Sequence, residues 1–209
     1  MTSHDASTYP VRLAIDYPDR ALNRVSTLLR LIWIIPIAIV LGLVSGGSVW
    51  VGGTTEIVLA GGLLVLAPLL MILFRQKYPR WWFDWNLALT RFSTRVAAYL
   101  ALMDDRYPST DDEQSVHLDI DYPDAQRDLN RFLPLVKWLL AVPHLVVLVF
   151  LGIGAVFAVI ISWFAILFTG RYPRALFHYV EGVIRWSTRV AGYAFLLVTD
   201  DYPPFSLRP

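Results

Sequence analysis

The chain has 209 residues, enough for one domain or two small ones. Of these, 56% are hydrophobic and only 17% charged, an apolar excess over soluble globular domains that points to a membrane. A net charge of +1 singles out no class of partner, and the absence of cysteine excludes disulfides, thiolate metal ligands and cysteine nucleophiles.

Residues 1–10 read as a polar tail. No short apolar core followed by small residues occurs in the first 27 positions, so a cleaved signal peptide is not expected. "VRLAIDYP" at 11–18 alternates apolar with polar or small residues, which predicts a short strand or extended arm ended by Pro18. Two apolar runs follow, about 28–51 and 57–74, separated by the glycine-rich "SGGSVWVGGTTE". Each is long enough to be read as a membrane span, and the glycines predict a turn, so together they form a helical hairpin. Residues 79–103 then read as an amphipathic helix. Arg80, Asp84, Arg91 and Arg95 lie on one face, with Trp81, Trp85, Phe92, Val96 and Tyr99 on the other.

After a linker at 109–115 the order repeats. "VHLDIDYP" at 116–123 predicts a second arm ended by Pro123. Residues 133–169 are apolar apart from Lys137 and His144, and "GIGA" at 152–155 suggests a break, giving spans of about 133–151 and 154–169. A second amphipathic helix is expected at 173–198, with Arg174, His178, Glu181, Arg185 and Arg189 opposite Leu176, Tyr179, Val183, Trp186, Val190 and Tyr193. The closing "VAAYLALM" and "VAGYAFLLV" are compatible with helix or with a strand pairing with the arms.

The repetition is literal. "IDYPD" occurs at 15–19 and 120–124, "LNR" at 22–24 and 129–131, and "KYPR" at 77–80 answers "RYPR" at 171–174. "RFSTRVAAY" at 91–99 answers "RWSTRVAGY" at 185–193, and "MDDRYP" answers "TDDYP". The chain is therefore expected to hold two tandem units, 11–108 and 116–209. All 18 Lys and Arg lie outside the two hairpin tips. The positive-inside rule then puts both termini and the centre in the cytoplasm, and the repeats are parallel.

This order of motifs, above all "STRVAxY" and "DYPPF", resembles the bacterial membrane-protein family known as domain of unknown function 4389, here as two copies over nearly the whole chain. The resemblance implies an integral membrane protein and no particular activity. The first unit departs from it by ending "DRYPST".

The fold class expected is thus an all-α integral membrane protein with possible short β-arms, in the bacterial cytoplasmic membrane. Each unit pairs a transmembrane hairpin with an interfacial amphipathic helix. No catalytic constellation, metal site or cofactor is expected. His4, His117, His144 and His178 lack ligand spacing, and Ser93 and Ser187 lack a nucleophile elbow. Candidate lipid- or partner-binding residues are Arg80, Arg91, Arg95, Arg174, Arg185, Arg189, Trp81, Trp82, Trp85 and Trp186. A basic and aromatic interfacial layer suits anionic lipid of the inner leaflet or another membrane protein, and not nucleic acid. Asp16, Tyr17, Asp19, Asp104, Asp105, Asp121, Tyr122, Asp124, Asp200 and Asp201 are expected to make turns and ion pairs. Lys137 and His144 are the possible intramembrane polar residues, with Lys137 expected to snorkel to the interface. The function expected is a non-enzymatic accessory or scaffold protein. A small transporter or channel is the alternative and a lipid-modifying enzyme the third.

Overall fold

The structure, a computed structural model, describes residues 9–45, 49–51, 54–56, 60–112 and 114–209. Tail residues 1–8, parts of the glycine-rich turn, the start of the second apolar run and Glu113 of the linker lie outside the described residues. Seven helices and two small antiparallel sheets occur among the described residues.

Both arms form strands, β1 (Val11–Ile15) and β4 (Val116–Ile120). They pair antiparallel with each other, Val11 opposite Ile120 and Ile15 opposite Val116. The alternation read in the sequence is the alternation of burial. Val11, Leu13, Ile15, Val116, Leu118 and Ile120 are all buried on one face. A lone two-stranded ribbon is marginal unless a face is covered, and here the cover comes crosswise. β1 packs on α7 (Arg174–Ala194), and β4 packs on α4 (Arg80–Leu100). Each arm therefore lies on the helix of the other half. Gly192 permits the closest approach, since a Cβ there would sit 2.7 Å from Val11 Cγ2.

α1 (Arg24–Trp33) starts at Asn23, whose side chain accepts from the N–H groups of Val25 and Ser26. It bends into α2 (Ile35–Ser45), and the two are apolar enough to cross a membrane together but are bent by 40°. A short ribbon of β2 (Val49–Val51) and β3 (Thr54–Glu56) forms in the turn region. α3 (Ala60–Arg75) follows. In the second half α5 (Pro134–Leu140) and α6 (Val142–Thr169) are divided at Ala141, the position matching Ile34 between α1 and α2. Pro36 and Pro143 sit at corresponding places just beyond each division.

Here the structure differs from the sequence reading. The expected break at 152–155 is absent, and α6 runs through it for 28 residues until Gly170 adopts the left-handed conformation, φ 74°. Two glycines cost a helix only about 1 kcal/mol each, which the apolar run outweighs. Gly154 instead makes room for α7, because a Cβ there would meet Tyr179 Oη at 2.5 Å. α6 is the one helix among the described residues that is by itself long and apolar enough to cross a membrane. α7 returns along it, with Tyr179 Oη donating to Leu151 O at 3.0 Å and Trp186 Nε1 to His144 Nδ1 at 3.2 Å.

The closing stretches are not strands: α4 and α7 run into them and end at Leu100 and Ala194. After α4 the chain makes a Schellman turn, Met103 N to Ala98 O at 3.0 Å and Leu102 N to Tyr99 O at 3.1 Å, with Leu102 at φ 66°. Leucine takes this conformation in place of the usual glycine because its side chain is buried. Leu197, at φ 57°, turns the chain after α7.

The ribbon is predicted to hold the halves together. Leu118→Ala is expected to destabilise the protein by about 2–5 kcal/mol, read as a lower unfolding temperature in mild detergent.

Candidate functional site

The repeated motifs meet at two related crossings. Tyr17 Oη donates to Tyr172 O at 2.5 Å, and Tyr122 Oη donates to Tyr78 O. The tyrosine of each "IDYPD" therefore docks on the "YPR" of the other half. Tyr17 stands edge-on to Phe177 at 5.1 Å and Tyr122 edge-on to Phe83 at 5.1 Å. Arg174 lies over the Tyr17 ring at 5.1 Å, and Arg80 over Tyr122 at 4.7 Å. Proline explains the local geometry: Pro79 and Pro173 are extended N-cap residues, ψ 130° and 123°, and each helix starts directly after. Burial pushes the Tyr78 phenol well above its ordinary value, and its hydroxyl donates to Leu196 O at 2.7 Å.

The two "LNR" arginines behave alike. Arg131 donates to Leu73 O and Phe74 O at 2.6 and 3.0 Å, and Arg24 to Phe168 O at 3.3 Å. Each satisfies carbonyls at the end of a helix in the other half, where cations are favoured. Asp121 pairs with Arg12 at 2.7 Å, and Asp16 lies 2.9 Å from His117, so the ribbon carries the same cross-strand pair at both ends. Asp124 accepts from Gln126 N at 3.0 Å as a turn former. Asp19 lines a groove of about 550 Å³ with Asp16, Tyr17, Arg174 and His178. No cluster of three metal-ligating side chains occurs among the described residues.

The arginines expected to face lipid are turned inward. Arg91 Nε donates to Leu118 O at 2.9 Å, and Arg185 Nε donates to Leu13 O at 2.8 Å, each gripping the strand of the other half. Arg185 also pairs with Glu181, which accepts the Ile15 N–H at 3.2 Å. Arg95 donates to Ser109 O and Thr110 O at 3.1 and 3.2 Å, and Arg189 donates to Arg208 O at 3.0 Å. The polar faces of α4 and α7 are thus covered by ribbon and tails, whose unpaired carbonyls need donors. Arg80 remains exposed, with Asp84 at 3.5 Å. Trp81 and Trp85 are 69% and 38% exposed, Trp82 packs edge-on to Trp81 at 5.3 Å, and Trp186 is buried.

Lys137 does not snorkel outward. It is 0% exposed, donates to Thr199 O at 2.7 Å, pairs with Asp200 at 2.7 Å and lies over the Tyr193 ring. Asp200 also accepts the Asn130 N–H, and Tyr9 Oη donates to Asp201 O at 3.2 Å. Arg30, at the matching position, donates to Tyr99 O and, at 2.6 Å, to Asp104 O. Each buried cation thus ties the start of a hairpin to its own half's closing turn. Sequence repetition had aligned Arg30 with Lys137, but nothing in a single unit announces that both point inward. His144 is buried too, stacked on Phe205 at 3.9 Å and flanked by Trp186 and Tyr202.

Burial alone would raise the Asp104 carboxyl. Hydrogen bonds from the Arg106 side chain at 2.9 Å, from Ser115 Oγ at 2.7 Å and from the Arg106 N–H outweigh it and hold the group below its ordinary value. Asp105 pairs with Arg20 and accepts the Asn23 N–H at 3.3 Å.

Residues 134–206 match the family model described as Domain of unknown function (DUF4389). The matched stretch begins at α5 and ends past the "DYPPF" string, about a third of the chain. No curated protein and no solved structure matches the chain.

Two outcomes are expected. Lys137→Met leaves Asp200 without its partner in a dry site and should cost about 3–5 kcal/mol, more than Arg12→Ala at the exposed pair, which should cost no more than about 1 kcal/mol; thermal melts compare them. Asp104, depressed in the folded state, contributes stability that is complete above its unfolded value and is lost as pH falls through the folded one. The melting difference between wild type and Asp104→Asn should be constant above about pH 5 and shrink as pH falls below about 4.

Proposed function

We propose that this chain is a non-enzymatic scaffold or accessory protein embedded in the bacterial cytoplasmic membrane, and that its first half is a second copy of the domain matched in its second. The observation that carries the reading is α6: 28 residues without a charge, its most apolar stretch only 11% buried within the chain. Water penalises a bare apolar surface of that size, whereas lipid or a partner's helices do not. α1, α2 and α5 extend the same surface through Leu31, Trp33, Ile39, Trp138 and Leu139, all exposed. The ribbon and the crossed motifs form the polar layer, which the distribution of Lys and Arg assigns to the cytoplasmic side.

The docking surface of this scaffold is the apolar and tryptophan-rich belt, Trp81 and Trp85 included, since the repeated arginines are engaged internally. The partner is a membrane protein or the lipid itself. A transport path at the junction of the halves is disfavoured by His144, the one ionisable group within α6, because aromatic rings enclose it. An enzymatic role finds no nucleophile–base pair in the crossings.

Alkaline carbonate extraction tests the membrane reading. Wild type should stay in the pellet. An aspartate at the exposed midpoint of α6, Phe157→Asp, costs about 2.5–3.5 kcal/mol on insertion and should move a measurable share of the protein out of the membrane. Complete release of the wild type would refute the reading.

A further inference from the structure

The layers around α7 constrain how α6 can sit in a membrane. Gly192, Arg185 and Glu181 of α7 meet Val11, Leu13 and Ile15 of the first arm in turn. Trp186 and Tyr179 meet His144 and Leu151 of α6. At about 3.6 residues per turn these two sets fall on opposite sides of α7. β1 and α6 therefore both run alongside α7, antiparallel to it, with α7 between them. The far side of the ribbon is charged along its length: Arg12 pairs with Asp121, Arg91 with Asp119 and His117 with Asp16. An α6 that crossed the bilayer would carry that charged face, one helix away and parallel to it, through the hydrocarbon.

Both ends of α6 are tied to the same polar layer. At its start Tyr202 Oη donates to Leu140 O at 3.2 Å, and Tyr9 Oη donates to Asp201 O at 3.2 Å. At its end the Leu22 N–H donates to Gly170 O at 2.9 Å, and Tyr17 Oη donates to Tyr172 O. Tyr9 and Tyr17 flank β1, so the segments that hold the two ends of α6 are held in turn by the two ends of one strand. Cations also stand on both flanks, Arg131 and Lys137 before α6 and Arg171 and Arg174 after it. A single crossing would put one of these sets outside.

The side chains of α6 are sorted to match. Ala158, Ser162 and Ile166 are buried, whereas Phe150, Phe157 and Phe164 are 70%, 62% and 51% exposed. Spaced seven residues apart, the three phenylalanines form a stripe on the side away from the buried residues. α6 has no polar face of its own. α7 and the ribbon supply one, and the three layers together have the sidedness of an interfacial helix. The first half follows the same plan, with Ile37 of α2 packed on Phe92 and Val96 of α4, the helix that carries β4.

We propose that α6 lies in the plane of the membrane within the cytoplasmic leaflet, its phenylalanine stripe among the acyl chains and neither end crossing. The occupant of this bare apolar face is one leaflet of lipid. The proposal rests on the membrane reading above and adds to it an orientation and a depth.

The chain has no cysteine, so single cysteines can report on it. Asp201→Cys and Arg171→Cys place them at exposed positions beside the two ends of α6. A membrane-impermeant maleimide should label both in inverted inner-membrane vesicles and neither in intact spheroplasts. One position labelled from each side overturns the proposal, and labelling of both in spheroplasts overturns the choice of leaflet. Depth is read separately, with spin labels on Phe150→Cys, Phe157→Cys and Phe164→Cys in phosphatidylethanolamine–phosphatidylglycerol liposomes, from the ratio of oxygen to nickel-chelate accessibility. All three should report the same depth. On an upright helix neighbouring positions differ by about 10 Å along the membrane normal, and such steps overturn the in-plane placement. Labels shielded from oxygen and nickel alike put a second copy on the face and overturn lipid as its occupant. A chain retained in the carbonate pellet with stepped depths refutes this proposal alone, whereas labels as open to nickel as they are in water refute the membrane reading itself.

Discussion

Neither half of this chain covers the polar side of its own amphipathic helix completely, and the other half's arm completes the cover. α4 and α7 each carry an arginine whose Nε needs a carbonyl, and each finds it on the strand that enters from across the molecule. The strands in turn need a partner edge and a covered face. They obtain the edge from one another and the face from the two helices. The tyrosines of "IDYPD" and the arginines of "LNR" follow the same crossed plan. The duplicated string is therefore the joint by which one half grips the other.

Buried charge is handled by two different means. Crossed arginines are satisfied mostly by backbone carbonyls, which offer good hydrogen-bond geometry without introducing a second ion. Lys137 uses a carboxylate, and its half closes on a complete ion pair. Arg30 has two backbone carbonyls and the face of the Tyr99 ring in place of a carboxylate. The two halves thus differ where a buried cation meets the closing turn, while the ribbon is nearly symmetric. Glu181, where the first half has Leu87, is a second departure. It stabilises Arg185 and the Ile15 N–H together.

Much of the layout was legible from residues alone. Alternation located both strands, amphipathic periodicity located α4 and α7, and the repeat aligned positions that prove to make equivalent contacts. Periodicity also sorted α4 and α7 into two faces correctly, but it is silent on what covers a face. From the sequence the polar side reads as open to headgroups and Arg91, Arg95, Arg185 and Arg189 as surface cations, whereas the ribbon and tails lie on it. Gly152 and Gly154 misled for a related reason. Glycine marks a turn or a close approach, and only the position of Tyr179 decides between them. The inward course of Lys137 was masked by its location near the end of an apolar run, where snorkelling is the usual outcome.

The crossed plan has a consequence for the order in which the protein is made. Leu13 and Ile15 leave the ribosome early, but the groups that satisfy them, Arg185 and Glu181, are 172 and 166 residues further along. At elongation rates of about 5–20 residues per second, the first arm waits roughly 8–35 s for its cover. Until β4 is made, an edge strand with three apolar side chains stands unpaired beside a growing chain, and its apolar face then still waits for α7. Its short length and its Arg12 and Asp16 flanks keep it from pairing with another nascent copy, and the last helix to be synthesised is the one that closes the fold.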